Sequence, residues 1–255
     1  MVHHKTTNQI KNQYISAILN FQVGRRPLEY YTTPINDFAE HKEIIVYIDD
    51  KLLLQKLSNN VTKIYVDYDD ISNFKFESSW RSLFLKHFND ILWYNLSRTY
   101  LLKPKLIKIT KDKIKADRYT WIDAGMPCSH LFDHNYCGYH NVYNSQSIRF
   151  IEDISNNYNF LTQGYISNII NGVNVETIYN LLNLLPNGKE HVSGCMMSMN
   201  NLDVDEFCDE FYKTLNIFHD SNIMGTDEAV CAITILKHGN YKMFPYSDFC
   251  KKLIS

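Results

Sequence analysis

The sequence predicts an α/β fold: a single domain, residues 1–255, built on a mostly parallel central sheet flanked by helices. Three observations carry that expectation. The first third of the chain alternates short apolar, β-prone runs with stretches of helical spacing, and β-α-β-α-β order marks parallel strands joined by crossover helices. Near the middle, Trp121-Ile122-Asp123-Ala124-Gly125 reads as a short buried strand that delivers one carboxylate to a loop. No internal repeat, low-complexity linker or shift in composition divides the chain.

Taken in order, Tyr14 to Phe21 is a first strand, and it runs into Gln22-Val23-Gly24-Arg25-Arg26-Pro27, a turn with one Gly and two guanidiniums. Leu28 to Ala39 has helical spacing. Glu43 to Asp49 is a strongly apolar second strand ending in Asp49-Asp50. A short helix (Lys51 to Leu57) leads to a third strand, Thr62 to Asp67. Asp67-Tyr68-Asp69-Asp70 resembles a metal-binding carboxylate cluster, but its polar surroundings favour a solvated turn.

Ser79 to Leu102 is apolar at helical intervals (Leu83, Phe84, Phe88, Ile91, Leu92, Leu96), and Lys103-Pro104 is expected to interrupt it. Leu106 to Lys115 is then a separate helix, and Tyr119 to Asp123 a fourth strand. His130 to Ser145 reads as a loop, Phe150-Ile151 and Tyr165 to Ile170 as strands, and Val175 to Leu184 as a helix. His191 to Asn200 is an apolar strand, and its Gly194 permits close approach. Val204 to Leu215 is an amphipathic helix. Thr226 or Asp227 caps another helix, with its apolar face in Ala229 to Leu236, and Tyr241 to Tyr246 is a last extended segment.

Bulk properties exclude several classes of function. A formal net charge of -2 provides no basic field for nucleic acid. Six cysteines without a CxxC pair, in a chain too long to need staples, read as reduced thiols of a cytoplasmic compartment. Cys128 and Cys137 bracket His130, His134 and His140, which raises zinc, although zinc sites usually show tighter and repeated spacings. The polar N-terminus lacks signal-peptide character, and no apolar run approaches the roughly 20 residues that span a bilayer. There is no G-x-x-x-x-G-K-[ST], no G-x-G-x-x-G and no G-x-S-x-G, so P-loop, dinucleotide and α/β-hydrolase chemistry all recede.

What remains is the carboxylate at Asp123. Open α/β sheets bind ligands just beyond the carboxyl ends of their strands. An Asp in that place can hold a divalent cation, and a following Gly lets a phosphate or sugar approach the backbone. The same three residues, Asp-Ala-Gly, equally suit a helix cap or a tight turn. Arg25, beside its turn, suits bidentate pairing with a diphosphate, and Lys103 suits the same task. Asn20 and Asp49, at strand ends, suit contacts to a base or ribose.

Three separated pieces resemble GT-A glycosyltransferases, most closely the HtrL/YibB (WlaTC-like) group. They are the opening strand with Gly24-Arg25, Glu29-Tyr30-Tyr31 and the Ile44 to Asp49 strand; Lys103-Pro104 followed by Trp121-Ile122-Asp123-Ala124-Gly125, which looks like that group's W-I-D-[AS]-G; and Ser193-Gly194-Cys195-Met196 with Gly225-Thr226-Asp227-Glu228. Together they cover nearly the whole chain. The resemblance implies a GT-A-like (Rossmann-like) fold and transfer of a sugar from a nucleotide-diphosphate donor, a UDP-sugar above all, to a hydroxyl on a glycan, lipid-linked or protein acceptor.

The resemblance also implies Mn²⁺ or Mg²⁺ bridging the diphosphate, with Asp123 at the metal carboxylate position. Trp121 stands where the usual D-x-D has its first acid. That leaves two alternatives: one acidic ligand assisted by His238, or no metal. Asp227 is the candidate general base if the anomeric centre inverts, and an orienting group if it is retained. Gly24, Ala124, Gly125, Ser193, Gly194, Thr226 and Glu228 complete the implied donor pocket. Two rival readings stand beside this one: a nucleotidyltransferase or other nucleotide-sugar-binding enzyme, and a catalytically silent GT-A-like protein that binds a glycan or partner.

Overall fold

The computed structural model describes residues 11–19, 27–72, 77–88, 91–125, 149–152, 158–164, 190–220 and 243–245, together with Asp227, Val230, Cys231 and Thr234. Strand β1 (Asn12–Ile18), helix α1 (Glu29–Ala39), β2 (Ile44–Ile48), α2 (Leu53–Lys56) and β3 (Val61–Tyr65) follow one another as expected. Next come α3 (Tyr68–Ser72), α4 (Glu77–Phe88), α5 (Ile91–Lys113) and β4 (Arg118–Ile122). After β5 (Arg149–Glu152), β6 (Tyr158–Gly164) and β7 (Glu190–Asn200) lie α6 (Val204–Asp220) and β8 (Met243–Pro245).

Among the described residues the eight strands form one sheet in the order β3-β2-β1-β4-β7-β6-β5-β8. The expected parallel part is β3-β2-β1-β4. From β4 onward each strand adds antiparallel to its neighbour, which makes the sheet mixed.

Residues alternate between the two faces with the period of two that strands impose. Tyr14, Ile18, Ile44, Val46, Ile48 and Ile122 pack under α1 and α2 with Tyr31, Ile35, Phe38, Leu53 and Leu57. Ile15, Ala17, Ile45, Tyr47, Tyr119, Trp121, Met197 and Met199 face the other way, against α3 to α6. Strand β2 is buried along its whole length, which explains its unbroken Ile-Ile-Val-Tyr-Ile run.

Two local readings change. The Asp67 to Asp70 segment opens α3, where Asp67 Oδ1 accepts the Asp69 backbone N–H at 2.9 Å, as a cap does. The Lys103-Pro104 interruption does not occur: α5 is continuous for 23 residues with Pro104 inside it. A proline ring removes one N–H and crowds the preceding turn. Here the Tyr212 hydroxyl, from α6, donates to the Leu101 carbonyl at 2.9 Å and accepts a hydrogen bond from the Lys105 backbone. It thus bridges the carbonyl of Leu101 and the backbone of Lys105, two groups that a regular helix pairs directly, one position past the bond that Pro104 removes. The segments read as a loop over 130–145, a strand over 165–170 and a helix over 175–184 lie outside the described residues.

Candidate functional site

From β1 the chain builds β2 and β3 outward on one side, and β4 then joins β1 on the other. The direction of strand order therefore reverses between β1 and β4, and a crevice beyond the carboxyl ends of such strands is where open α/β sheets bind ligands. Asp123 is the first residue past β4, and Asp49 the first past β2. They are two strand spacings apart along this edge, about 10 Å. Strand β7 pairs Met196 with Ile122, so Cys195, Gly194 and Ser193 run on past the end of β4 at the same edge.

Alternation puts Asp123 on the face of Tyr119 and Trp121, toward α5. There the Lys103 ammonium lies 2.9 Å from Asp123 Oδ1 and 3.0 Å from Asp227 Oδ2, with its side chain 1% exposed. Trp121 Nε1–H donates to the same Asp123 Oδ1 at 2.7 Å. The Tyr100 ring, one helical turn before Lys103, takes the ammonium over its face at 4.1 Å from the centroid. Asp227 is helical, and buried Asp227, Val230, Cys231 and Thr234 follow the i, i+3, i+4, i+7 spacing of one helix face. The result is two carboxylates and one ammonium against aromatic rings, with the ammonium sealed from solvent and the Asp123 side chain still 16% exposed.

A buried ion group of this kind stands only if its partners are satisfied, and removing one partner costs about 3–5 kcal/mol. Burial raises the Asp123 carboxyl above the ordinary carboxylate value. The Lys103 ammonium and the Trp121 N–H pull it back, while the Asp227 charge adds to the rise.

The turn after Asp123 is closed by a steric requirement. A methyl group at Gly125 would come within 2.5 Å of Tyr30 Cε1 on α1. Tyr30 packs edge-on to Tyr31, ring centroids 5.2 Å apart. The aromatic pair after the first turn and the Asp-Ala-Gly turn, far apart in sequence, are thus one contact.

Of the site residues inferred from sequence, the structure brings Lys103, Asp123 and Asp227 into direct contact. Ala124 and Gly125 form the adjoining turn, Ser193 and Gly194 lie at the same edge, and Asp49 lies along it. Asn20, Gly24, Arg25, Thr226, Glu228 and His238 are outside the described residues. The Cys128/Cys137 and histidine group raised for zinc is outside them too. Sequence reasoning treated Lys103 as a diphosphate contact and Trp121 as a replaced acid. It missed Tyr100 and the indole N–H, although i, i+3 and i, i+2 spacings pointed to both.

The set can be tested against the divalent cation that the sequence resemblance implies. Such ions take several oxygen ligands at about 2.0–2.6 Å. Asp123 Oδ1 already receives two N–H donors, and Asp227 Oδ2 receives a third. Among the described residues no group of three or more His, Cys, Asp or Glu is arranged to hold a metal ion. The described residues do not fit a divalent cation, because an ammonium already stands between the two carboxylates.

No family model matches the sequence, and no curated protein matches it. Solved structures do. The chain is similar to the mannosyltransferase Ktr4p from S. cerevisiae, with a TM-score of 0.52 and 10% identity over 89% of this chain and 66% of that one. It is also similar to core-mannan synthase A (CmsA/Ktr4) from Aspergillus fumigatus in its Mn/GDP form, at a TM-score of 0.48 and 10% identity over 90% and 70% of the two chains. A third is the galactosyltransferase LgtC in complex with donor and acceptor sugar analogues, at 0.42 and 11% over 87% and 69%. This chain thus spans just under two thirds of the length of the yeast mannosyltransferase. The fold is α/β and Rossmann-like, of the GT-A kind.

Proposed function

We propose that this protein is a glycosyltransferase of the HtrL/YibB kind. It moves a sugar from a nucleotide-diphosphate donor, a UDP-sugar in the first instance, to a hydroxyl on a glycan, lipid-linked or protein acceptor. The observation that carries the reading is the position of Asp123, at the carboxyl end of β4 where the strand order reverses, anchored by Lys103 and Trp121. Site geometry of that kind, and not the fold alone, is what argues for a function.

In the reaction the bond from the anomeric carbon to the diphosphate oxygen breaks, and its electron pair leaves with the diphosphate. A bond from the acceptor oxygen to the anomeric carbon forms, and the acceptor proton passes to a base. Asp227 is the carboxylate assigned to that proton if configuration inverts; in a retaining reaction it orients the sugar. Ser193 and Gly194, at the same edge, line the sugar pocket, and Asp49 serves the nucleoside end.

The first experiment is a thermal-shift screen against nucleotide sugars and free nucleotides, followed by assay of donor hydrolysis. A ligand at a hundredfold excess over its Kd stabilises the folded state by about 2.7 kcal/mol. One donor class should raise Tm and be hydrolysed, and Asp123→Asn should slow turnover on the order of 100-fold while the protein stays folded. Wild-type turnover in Asp123→Asn would remove Asp123 from the reaction. A donor that shifts Tm without ever being hydrolysed would favour the silent binding protein, the reading that Trp121 in place of an acid supports.

A further inference from the structure

The contact between Lys103 and both carboxylates has a consequence for how donor charge is handled. In a site that uses a divalent cation, acidic side chains converge on the ion and offer it their oxygens. Here Asp123 and Asp227 converge on a side chain of the chain itself, at 2.9 and 3.0 Å. The ammonium is sealed in place: Lys103 is 1% exposed, and the Tyr100 and Trp121 rings lie 4.1 and 6.0 Å away. Trp121, which replaces the first acid of the usual pair, points an N–H donor at Asp123 Oδ1 instead of offering a further oxygen. A second cation at this pair would meet the first in a low-dielectric setting, where like charges repel several-fold more strongly than in water.

We infer that Lys103 is the resident cation of the donor site, and that the Asp123–Asp227 pair takes this ammonium in place of a divalent metal, so that nucleotide binding is independent of metal. The inference rests on the glycosyltransferase reading only for the identity of the nucleotide. The ion preference of the carboxylate pair is a property of these three side chains. Lysine suits the role because its compact charge carries three donors, two of which meet the two carboxylates.

The test combines two readouts on the intact protein. Mn²⁺ alone is titrated and free ion is followed by electron paramagnetic resonance, for wild type, Lys103→Ala and Lys103→Arg. UDP and GDP binding is then measured calorimetrically in EDTA and in Mn²⁺. Wild type and Lys103→Arg should take up no stoichiometric Mn²⁺, and the nucleotide Kd should change less than about twofold between the two buffers. Lys103→Ala leaves two carboxylates facing a vacated space and should bind one Mn²⁺ at least about tenfold more tightly than wild type. Should Lys103→Ala fail to fold, the wild-type and Lys103→Arg titrations still decide the matter. One equivalent of Mn²⁺ on wild type that is lost in Asp123→Asn would overturn the inference, as would nucleotide binding that requires Mn²⁺. Absence of nucleotide binding in both buffers would instead count against the glycosyltransferase reading, and the Mn²⁺ titration would still judge the carboxylate pair.

Discussion

Helix α5 carries lysine–aspartate pairing at two points, with the same chemistry and opposite surroundings. Lys103 meets Asp123 and Asp227 where its side chain is 1% exposed. Along the same helix, Lys108 pairs with Asp205 and Asp209 of α6, and Lys111 with Asp205, where both aspartates are more than half exposed. In water such pairs gain little, because solvent screens them and two long side chains must be held still. Away from water each charge depends on its partner, and a missing partner leaves an uncompensated ion. The difference separates a site from a surface: the buried group is costly to assemble and specific in geometry, and the exposed one is neither.

The largest test of that contrast is Asp227→Ala. It removes one partner of a sealed ammonium and should cost about 3–5 kcal/mol of folding stability, read as a drop in the denaturation midpoint. Because the group is shielded from solvent ions, the loss should persist at high salt. A cost below 1 kcal/mol would mean that water reaches Lys103 and that the two clusters are alike.

A second test uses pH on the α5–α6 contact. Burial pushes the Cys208 thiol up to about 12 from an ordinary 9.0. Burial likewise raises the Tyr212 hydroxyl well above its usual value, and Tyr47 moves the same way. A raised pKa in the folded state means that the folded form holds its proton more tightly than the unfolded form. That stability is whole below the unfolded pKa and is lost as pH rises through the folded one. For Cys208 the window runs from 9.0 to about 12 and is worth about 4 kcal/mol. Urea midpoints should therefore fall steeply above pH 9, and Cys208→Ala should flatten part of that fall. An unchanged alkaline profile in Cys208→Ala would show the thiol to be solvated.

Much of the fold was legible because burial imposes patterns that need no partner to be read. Ile44 to Ile48 is a strand covered on both faces, and its unbroken apolar run says so. Trp121 to Gly125 announced a carboxylate at a strand end for the same reason. Three features were not legible, each because its cause lies far along the chain. Lys103-Pro104 obeyed a local rule that Tyr212, 111 residues from Leu101, sets aside. Lys103 suited pairing with a diphosphate, because its partner Asp227 is 124 residues away. Gly125 showed freedom to turn, but the requirement for it comes from the Tyr30 ring.

Tyr212 supplies the next prediction. Tyr212→Phe removes the hydroxyl that links the Leu101 carbonyl to the Lys105 backbone, and should cost about 1–3 kcal/mol. The cost should shrink in a Pro104→Ala background, where the helix regains its missing N–H and can close its own ladder. A double-mutant cycle with a coupling near zero would mean that the hydroxyl does not serve the proline.

The smallest effect belongs to the exposed cluster and sharpens the comparison most. The Lys111 hydrogen bond holds the Asp205 carboxyl below its ordinary value, yet its side chain is 51% exposed, so solvent discounts what the pair contributes. A lowered carboxyl gives stability that is present above the unfolded value and is lost as pH falls through the folded one. Asp205→Asn should accordingly cost less than about 1 kcal/mol at neutral pH. That cost should vanish near 1 M salt, where the screening length is only about 3 Å. It should also vanish in acid, where the wild-type carboxyl is itself neutral. If Asp205→Asn instead cost as much as Asp227→Ala and ignored salt, burial would not be what distinguishes the two clusters, and Lys103 would lose its claim to be the cation of a site.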